Sequence, residues 1–146
     1  MKLLLRIHIL LASLKSLDFL GLFLVRIYLF QVFWFSGKGK LEEFERFSQW
    51  IDSLSLPASD ILTWLIISVE SGGAILLLIG LFTRWITIPM LITMSLAIFL
   101  VHWENGWAQE SNGIEMAVTY SLMLLILFLS GAGKFLSLDY WISDKK

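Results

Sequence analysis

The run ILTWLIISVESGGAILLLIGLF, residues 61–82, carries a single ionisable side chain, Glu70, in an otherwise apolar stretch. A helix that crosses ~30 Å of hydrocarbon needs about 20 mostly apolar residues, and this run supplies them. Working outward, three more segments have the same character. Residues 17–36 contain only Arg26 at depth, residues 85–103 contain no acidic or basic charge, and residues 113–131 carry Glu115 at their start. Pro89 falls in the first turns of the third segment, where a missing backbone donor costs least. The composition agrees: 58% of the chain is hydrophobic and mean hydropathy is +0.79. A soluble domain averages about 45–50% apolar residues, so lipid is the natural cover for the excess. The expectation is an all-α integral membrane protein, a four-helix bundle forming one domain over residues 1–146.

Charge narrows the function classes. The net charge is −1, so no global basic field draws nucleic acid. Absence of cysteine excludes disulfides, thiolate metal sites, iron–sulfur ligation and a cysteine nucleophile. Two histidines, His8 and His102, are too few for a multi-histidine metal or haem centre, so no metal is assigned.

The basic residues set the orientation. Lys2, Arg6, Lys15, Arg84, Lys134, Lys145 and Lys146 fall on the side of the two termini and the second connection. Only Lys38, Lys40 and Arg46 fall on the other. The positive-inside rule then places both termini in the cytoplasm. Trp34, Trp64, Trp103 and Trp107 fall near the outer ends of the spans, and Trp85 and Trp141 near the inner ends, the depth that an amphipathic indole prefers. Trp50 lies in a long first loop with room for a short interfacial helix. Residues 1–16 mix Leu and Ile with Lys2, Arg6, His8 and Lys15 and lack a clear cleavage site. They read as a short helix lying on the anionic inner leaflet.

Ionisable residues at membrane depth are expensive and are functional candidates. Arg26 and Glu70 both lie ~14–15 Å from the outer ends of their spans. On neighbouring antiparallel helices they are expected to form an ion pair, serving either as a register clip or as part of a site. Ser68-Val-Glu-Ser-Gly-Gly-Ala74 around Glu70 supplies small residues that admit another backbone. Near the outer face, Lys38, Lys40, His102, Glu104 and Glu115 gather at similar depth, with Tyr120 about two turns below. The candidate polar interior is Arg26, Glu70, His102, Glu115 and Tyr120. Lys38, Lys40 and Glu104 form the outer rim, where snorkelling alone accounts for the lysines. At the inner face Arg84 and Asp139 are expected to lock the helix ends together.

These residues resemble the DoxX/DoxD family. The resemblance rests on Arg26, Gly39-Lys-Leu41, Glu70 followed by Gly72-Gly73, the Gly80–Arg84 turn, and Gly131-Ala-Gly-Lys134 leading to Ser137-Leu-Asp139. It spans nearly the whole chain in order. His102-Trp-Glu-Asn-Gly-Trp107, Gly113-Ile-Glu115 and Asp139-Tyr-Trp-Ile142 look closest to the HvfX-type branch, although residues 108–112 make a shorter third loop than that branch often has. The resemblance implies a four-helix module of the bacterial inner membrane. It also implies a redox role linked to quinone, since the family is named for a subunit of a thiosulfate:quinone oxidoreductase, and an association with stress complexes. Two function classes follow. One is an oxidoreductase subunit using a bound quinone, with Arg26, His102 and Tyr120 as hydrogen-bonding groups and a carboxylate exchanging protons. The other is a non-enzymatic membrane partner or exporter component for a small metal-stress peptide, working with a protein partner or as a homo-oligomer. A transporter ranks below both, because no inverted repeat is evident.

Overall fold

In a computed structural model, described for residues 18–55 and 57–143, these residues are mostly helical and contain no strand. The surface helix expected over residues 1–16 lies outside the described residues, as do Lys145 and Lys146. The elements are α1 (Asp18–Glu42), α2 (Phe44–Ser53), α3 (Ser59–Ile79), α4 (Thr83–Ala97), α5 (Glu115–Ser130) and α6 (Leu138–Ser143). α1, α3, α4 and α5 run alternately up and down. α1 packs on α3, α3 on α4 and α4 on α5, while contact between α5 and α1 is thinner. The Tyr28 and Tyr120 rings meet across that last seam, with centroids 6.2 Å apart.

Among the described residues, three helices are long and apolar enough to cross a membrane: Leu20–Glu42, Ser59–Ile79 and Thr83–Asn105. The fourth, α5, has 16 residues, about 24 Å of rise, somewhat short of the hydrocarbon thickness. Large apolar side chains point away from the bundle all around it, among them Phe35, Ile61, Trp85, Phe99 and Leu129, each more than 60% exposed. In water such a surface would aggregate; in lipid it is the ordinary outside of a spanning bundle.

The first helix outruns its expected end. The apolar span is expected to end near Ser36, yet α1 continues through Gly37-Lys-Gly-Lys40 to Glu42. The reason is tertiary. Gly37 is buried against α3, where an added Cβ would press on the Ser71 hydroxyl and lie 3.0 Å from the Ser71 amide nitrogen. One turn on, Lys40 reaches Glu70. On the next interface a Cβ at Gly73 would lie 2.8 Å from Met90 Sδ. The small residues flanking Glu70 therefore do admit neighbouring helices. Lipid removes the hydrophobic drive between helices, so this close packing carries much of their association. Gly37→Leu is expected to lower stability by about 1–3 kcal/mol through overpacking. Gly39→Leu, with nothing within 4 Å of its added Cβ, should not. Denaturant titration of both variants in detergent checks the contrast.

α3 closes at Gly80, whose φ is +63°. The Leu81 amide donates to the Leu76 carbonyl at 3.0 Å and the Gly80 amide to Leu77 at 3.2 Å, the paired bonds of a Schellman turn. α4 starts at Thr83, two residues before its expected start, so Pro89 sits in the second turn and leaves the Trp85 carbonyl without an amide donor from that position. Beyond Ala97 the helix widens into a π turn, Ile98–His102, then tightens into a 3₁₀ turn, Trp103–Asn105. The packed core is Leu29, Phe33, Ala74, Leu77, Met90, Met94, Leu124 and Leu127. It fills the half of the bundle nearer the Gly80 turn. The opposite half, which the charge distribution reads as outer, is not filled in the same way.

Candidate functional site

Above Phe33 and Met94 the four helices enclose a cavity of about 410 Å³. Val32, Ser36 and Lys40 of α1, Ile66 and Glu70 of α3, Thr93 and Ala97 of α4, and Ala117 and Tyr120 of α5 form its walls. α2 roofs it with Phe47, Trp50 and Ile51. That helix is amphipathic because Phe47, Trp50 and Ile51 recur at helical spacing opposite Glu45, Arg46 and Asp52. Ile51 is buried, and Phe44 meets Trp64 of α3 at 4.8 Å between ring centroids. The first loop thus does hold a short amphipathic helix.

Lys40, Ser36 and Glu70 form a polar cluster on its wall. Lys40 Nζ donates to Glu70 Oε2 at 2.6 Å and to Ser36 Oγ at 2.7 Å, and lies 5.6 Å from the Phe47 ring centroid. The Glu70 side chain is 4% exposed and the Lys40 side chain 25%. Glu70 is therefore sealed in, while Lys40 reaches it from the rim. This corrects the expected Arg26–Glu70 pair. The antiparallel register brings Gly37 opposite Ser71 and Arg26 opposite Gly80, so the two charges sit at different levels. Had α1 ended at Ser36, Lys40 would have been a rim residue; because the helix continues, it becomes the partner.

His102, the last residue of the π turn, lines the same cavity. Its Nδ1 lies 2.8 Å from the Asn112 carbonyl. A carbonyl only accepts, so Nδ1 is the donor in this contact. Asn112, at φ +60°, also accepts from Asn105 Nδ2 at 3.2 Å. Backbone bonds from Gly113 to Ala108, Ile114 to Gly106 and Glu115 to Trp107 close this loop on itself. A Cβ at Gly113 would lie 2.5 Å from the Gly106 carbonyl oxygen, so glycine is required there. The Glu115 carboxylate accepts from the Gln109 amide at 3.2 Å. It holds the loop and does not line the cavity. Glu104 is exposed, and Lys38 pairs with Glu42 at 3.5 Å on the surface. No three His, Cys, Asp or Glu side chains converge to hold a metal among the described residues.

Arg26 belongs to a second level, at the Gly80 end. Fully buried, it donates to the carbonyls of Phe135 at 2.7 Å, Leu136 at 3.1 Å and Leu77 at 3.5 Å, with Phe23 5.6 Å away. Gly80 is needed beside it, since a Cβ there would collide with the guanidinium. The Gly80 carbonyl in turn accepts from the Asp139 amide at 2.9 Å and the Ser137 hydroxyl at 3.2 Å. Asp139 accepts from the amides of Phe82 and Thr83 at 2.7 and 2.9 Å, capping the start of α4 from a distant part of the chain. The expected lock of Arg84 with Asp139 is thus corrected in its partners. Both residues fasten helix ends, but Arg84 donates to the Leu129 carbonyl at 3.0 Å rather than to Asp139.

Of the five interior candidates, Glu70, His102 and Tyr120 meet in one cavity, and Lys40 joins them from the rim set. Ser36, Thr93, Phe47 and Trp50 were missed. The last two could have been found from the period of residues 44–53, the first two only from the helix register.

The comparisons agree with this architecture. The DoxX family profile matches residues 21–103. Two proteins of Haemophilus influenzae, both described as uncharacterized, are similar. One is 40% identical over 68 residues, covering 44% of this chain and 51% of that protein. The other is 31% identical over 123 residues, covering 82% and 81%. The chain thus spans about half the length of the first and most of the second. No solved structure matches. With membrane-length helices and a family match that takes in α1, α3 and α4, the chain belongs to the DoxX family, as a multi-pass bacterial inner-membrane protein.

Proposed function

We propose that the cavity binds the head group of a lipid-soluble quinone, and that the protein is a quinone-linked redox subunit of the inner membrane with both termini cytoplasmic. The observation that carries this reading is the cavity itself. At about 410 Å³ it is within the size range of small-molecule sites, and it has their character: apolar walls with a few converging polar groups. A quinone head group presents two carbonyl acceptors on a flat apolar ring. The Lys40 ammonium and the Tyr120 hydroxyl are donors of the right kind, Trp50 and Phe47 offer flat apolar surface, and His102 Nε2 accepts a proton at the mouth. The Glu70 carboxylate holds Lys40 in place and exchanges a proton through it. A bound quinone supplies the electron-carrying chemistry; the chain's own residues bind, orient and move protons. His102-Trp-Glu-Asn-Gly-Trp107 and Gly113-Ile-Glu115, which build the loop holding His102, support placement in the HvfX-type branch.

The test is titration of the protein in zwitterionic nanodiscs with a short-chain benzoquinone, followed by tryptophan fluorescence. Saturable quenching is expected, diminished in Trp50→Phe. Affinity should weaken about tenfold, equivalent to ~1.4 kcal/mol, in Glu70→Gln. Quenching that never saturates, or that is identical in Glu70→Gln, overturns the reading. Reduction of the quinone with thiosulfate as donor then decides whether the bound molecule turns over.

A further inference from the structure

The inner end carries a second concavity that the quinone reading does not use. It has a volume of about 510 Å³ and lies between the start of α4, the end of α5 and α6. Arg84 and Lys134 are the cations on its wall and Asp139 the anion; Ser130, Ser137, Ser143 and Tyr140 contribute hydroxyls. The Asp139 carboxylate is already occupied by the Phe82 and Thr83 amides. Of the five guanidinium N–H groups of an arginine, Arg84 gives one to Leu129. Both Arg84 and Lys134 are exposed. The groove therefore presents two cations against one carboxylate whose lone pairs are largely used.

Its position identifies the occupant. α4 begins and α5 ends here, so the groove sits at the boundary between hydrocarbon and water. Trp85, 75% exposed, and Trp141, 58% exposed, lie at the same end, where indoles mark the headgroup level. From Trp85 an exposed apolar stripe, Ile88 and Ile92, runs into the bilayer along α4. Basic pockets between spanning helices on the cytoplasmic side take anionic headgroups, and the positive-inside count places this end in that leaflet.

We infer that the groove lined by Arg84 and Lys134 binds the phosphate of an anionic phospholipid, with an acyl chain lying along Trp85, Ile88 and Ile92. Free phosphate would use the cations but not the stripe.

Native mass spectrometry of the full chain, released from micelles containing equal amounts of phosphatidylglycerol and phosphatidylcholine, tests this. Adducts of phosphatidylglycerol should dominate. Lys134→Gln and Arg84→Gln should each lower their abundance about fivefold, the equivalent of one basic contact near an anionic surface. Arg84→Lys should retain most of the binding, which separates lost charge from a lost Leu129 bond. Lys38→Gln, at the opposite end, should change nothing. Equal retention of the two lipids, or unchanged phosphatidylglycerol adducts in Lys134→Gln, overturns the proposal. So does a thermal stabilisation by inorganic phosphate alone that matches the stabilisation by phosphatidylglycerol vesicles.

Discussion

Arg26→Met is expected to release residues 131–143 from the bundle and to cost about 3–5 kcal/mol of stability, the sum of two or three hydrogen bonds from a charged donor at ~1.5–3 kcal/mol each. The guanidinium is the shared donor for the Phe135, Leu136 and Leu77 carbonyls. Without it, those carbonyls lose their donor, and each buried polar group left unsatisfied costs ~1–3 kcal/mol. The methionine recovers part of the lost volume but none of the hydrogen bonds. Arg26→Lys should recover little, because an ammonium cannot reproduce the planar fork that spans two successive carbonyls. The released segment carries Asp139, so the start of α4 loses its cap at the same time. Unfolding in detergent and the rate of tryptic cleavage after Lys134 measure the two consequences. A variant that melts with the parent protein and resists trypsin equally would show that Arg26 does not hold the tail.

The second large effect concerns Lys40 and Glu70, and its size depends on which partner is removed. Lys40→Met leaves a carboxylate that is 4% exposed with no cation beside it. That should cost about 3–5 kcal/mol, or force the carboxyl to take up a proton. Glu70→Gln leaves Lys40, already 25% exposed, free to swing its ammonium toward the rim on its flexible stem. Its cost should be about 1–2 kcal/mol. The double variant should be more stable than Lys40→Met alone, giving a coupling energy within the ~0.5–3 kcal/mol seen for residues in contact. A double-mutant cycle by denaturant titration decides. Equal costs for the two single changes, with simple additivity, would mean that the pair is not energetically coupled.

The Arg26 and Glu70 positions show how far sequence reasoning reaches. That both are buried charges of consequence follows from hydropathy alone, because any ionisable residue in the middle of such a run must find a partner inside the bundle. Which partner it finds does not follow. Pairing depends on register between helices, which close packing sets, and on whether α1 continues through Gly37-Lys-Gly-Lys40 to carry Lys40 to Glu70. By local propensity two glycines in four residues favour stopping. Contact of Gly37 with Ser71, and of Lys40 with Glu70, outweighs that preference and fixes the register, which leaves Arg26 opposite Gly80, about three turns along α3 from Glu70. The same holds at the inner end, where Arg84 and Asp139 were legible as a lock. Their true acceptor and donors are backbone groups, invisible to any pattern of side chains.

The sequence by itself determined that this protein spans a membrane as an all-α bundle, because run length and charge sparsity answer directly to bilayer thickness and to the cost of burying charge. It also marked Glu70, His102 and Tyr120 as interior groups, since each lies within or at the end of an apolar run. Only the tertiary structure decided that these three share one cavity with Lys40, that Arg26 stands apart beneath the C-terminal segment, and that Glu115 serves a loop. Hydropathy measures a segment against lipid one helix at a time. A site is made by the rotation and register of helices against each other, and those are set by close packing at positions such as Gly37, Gly73 and Gly80.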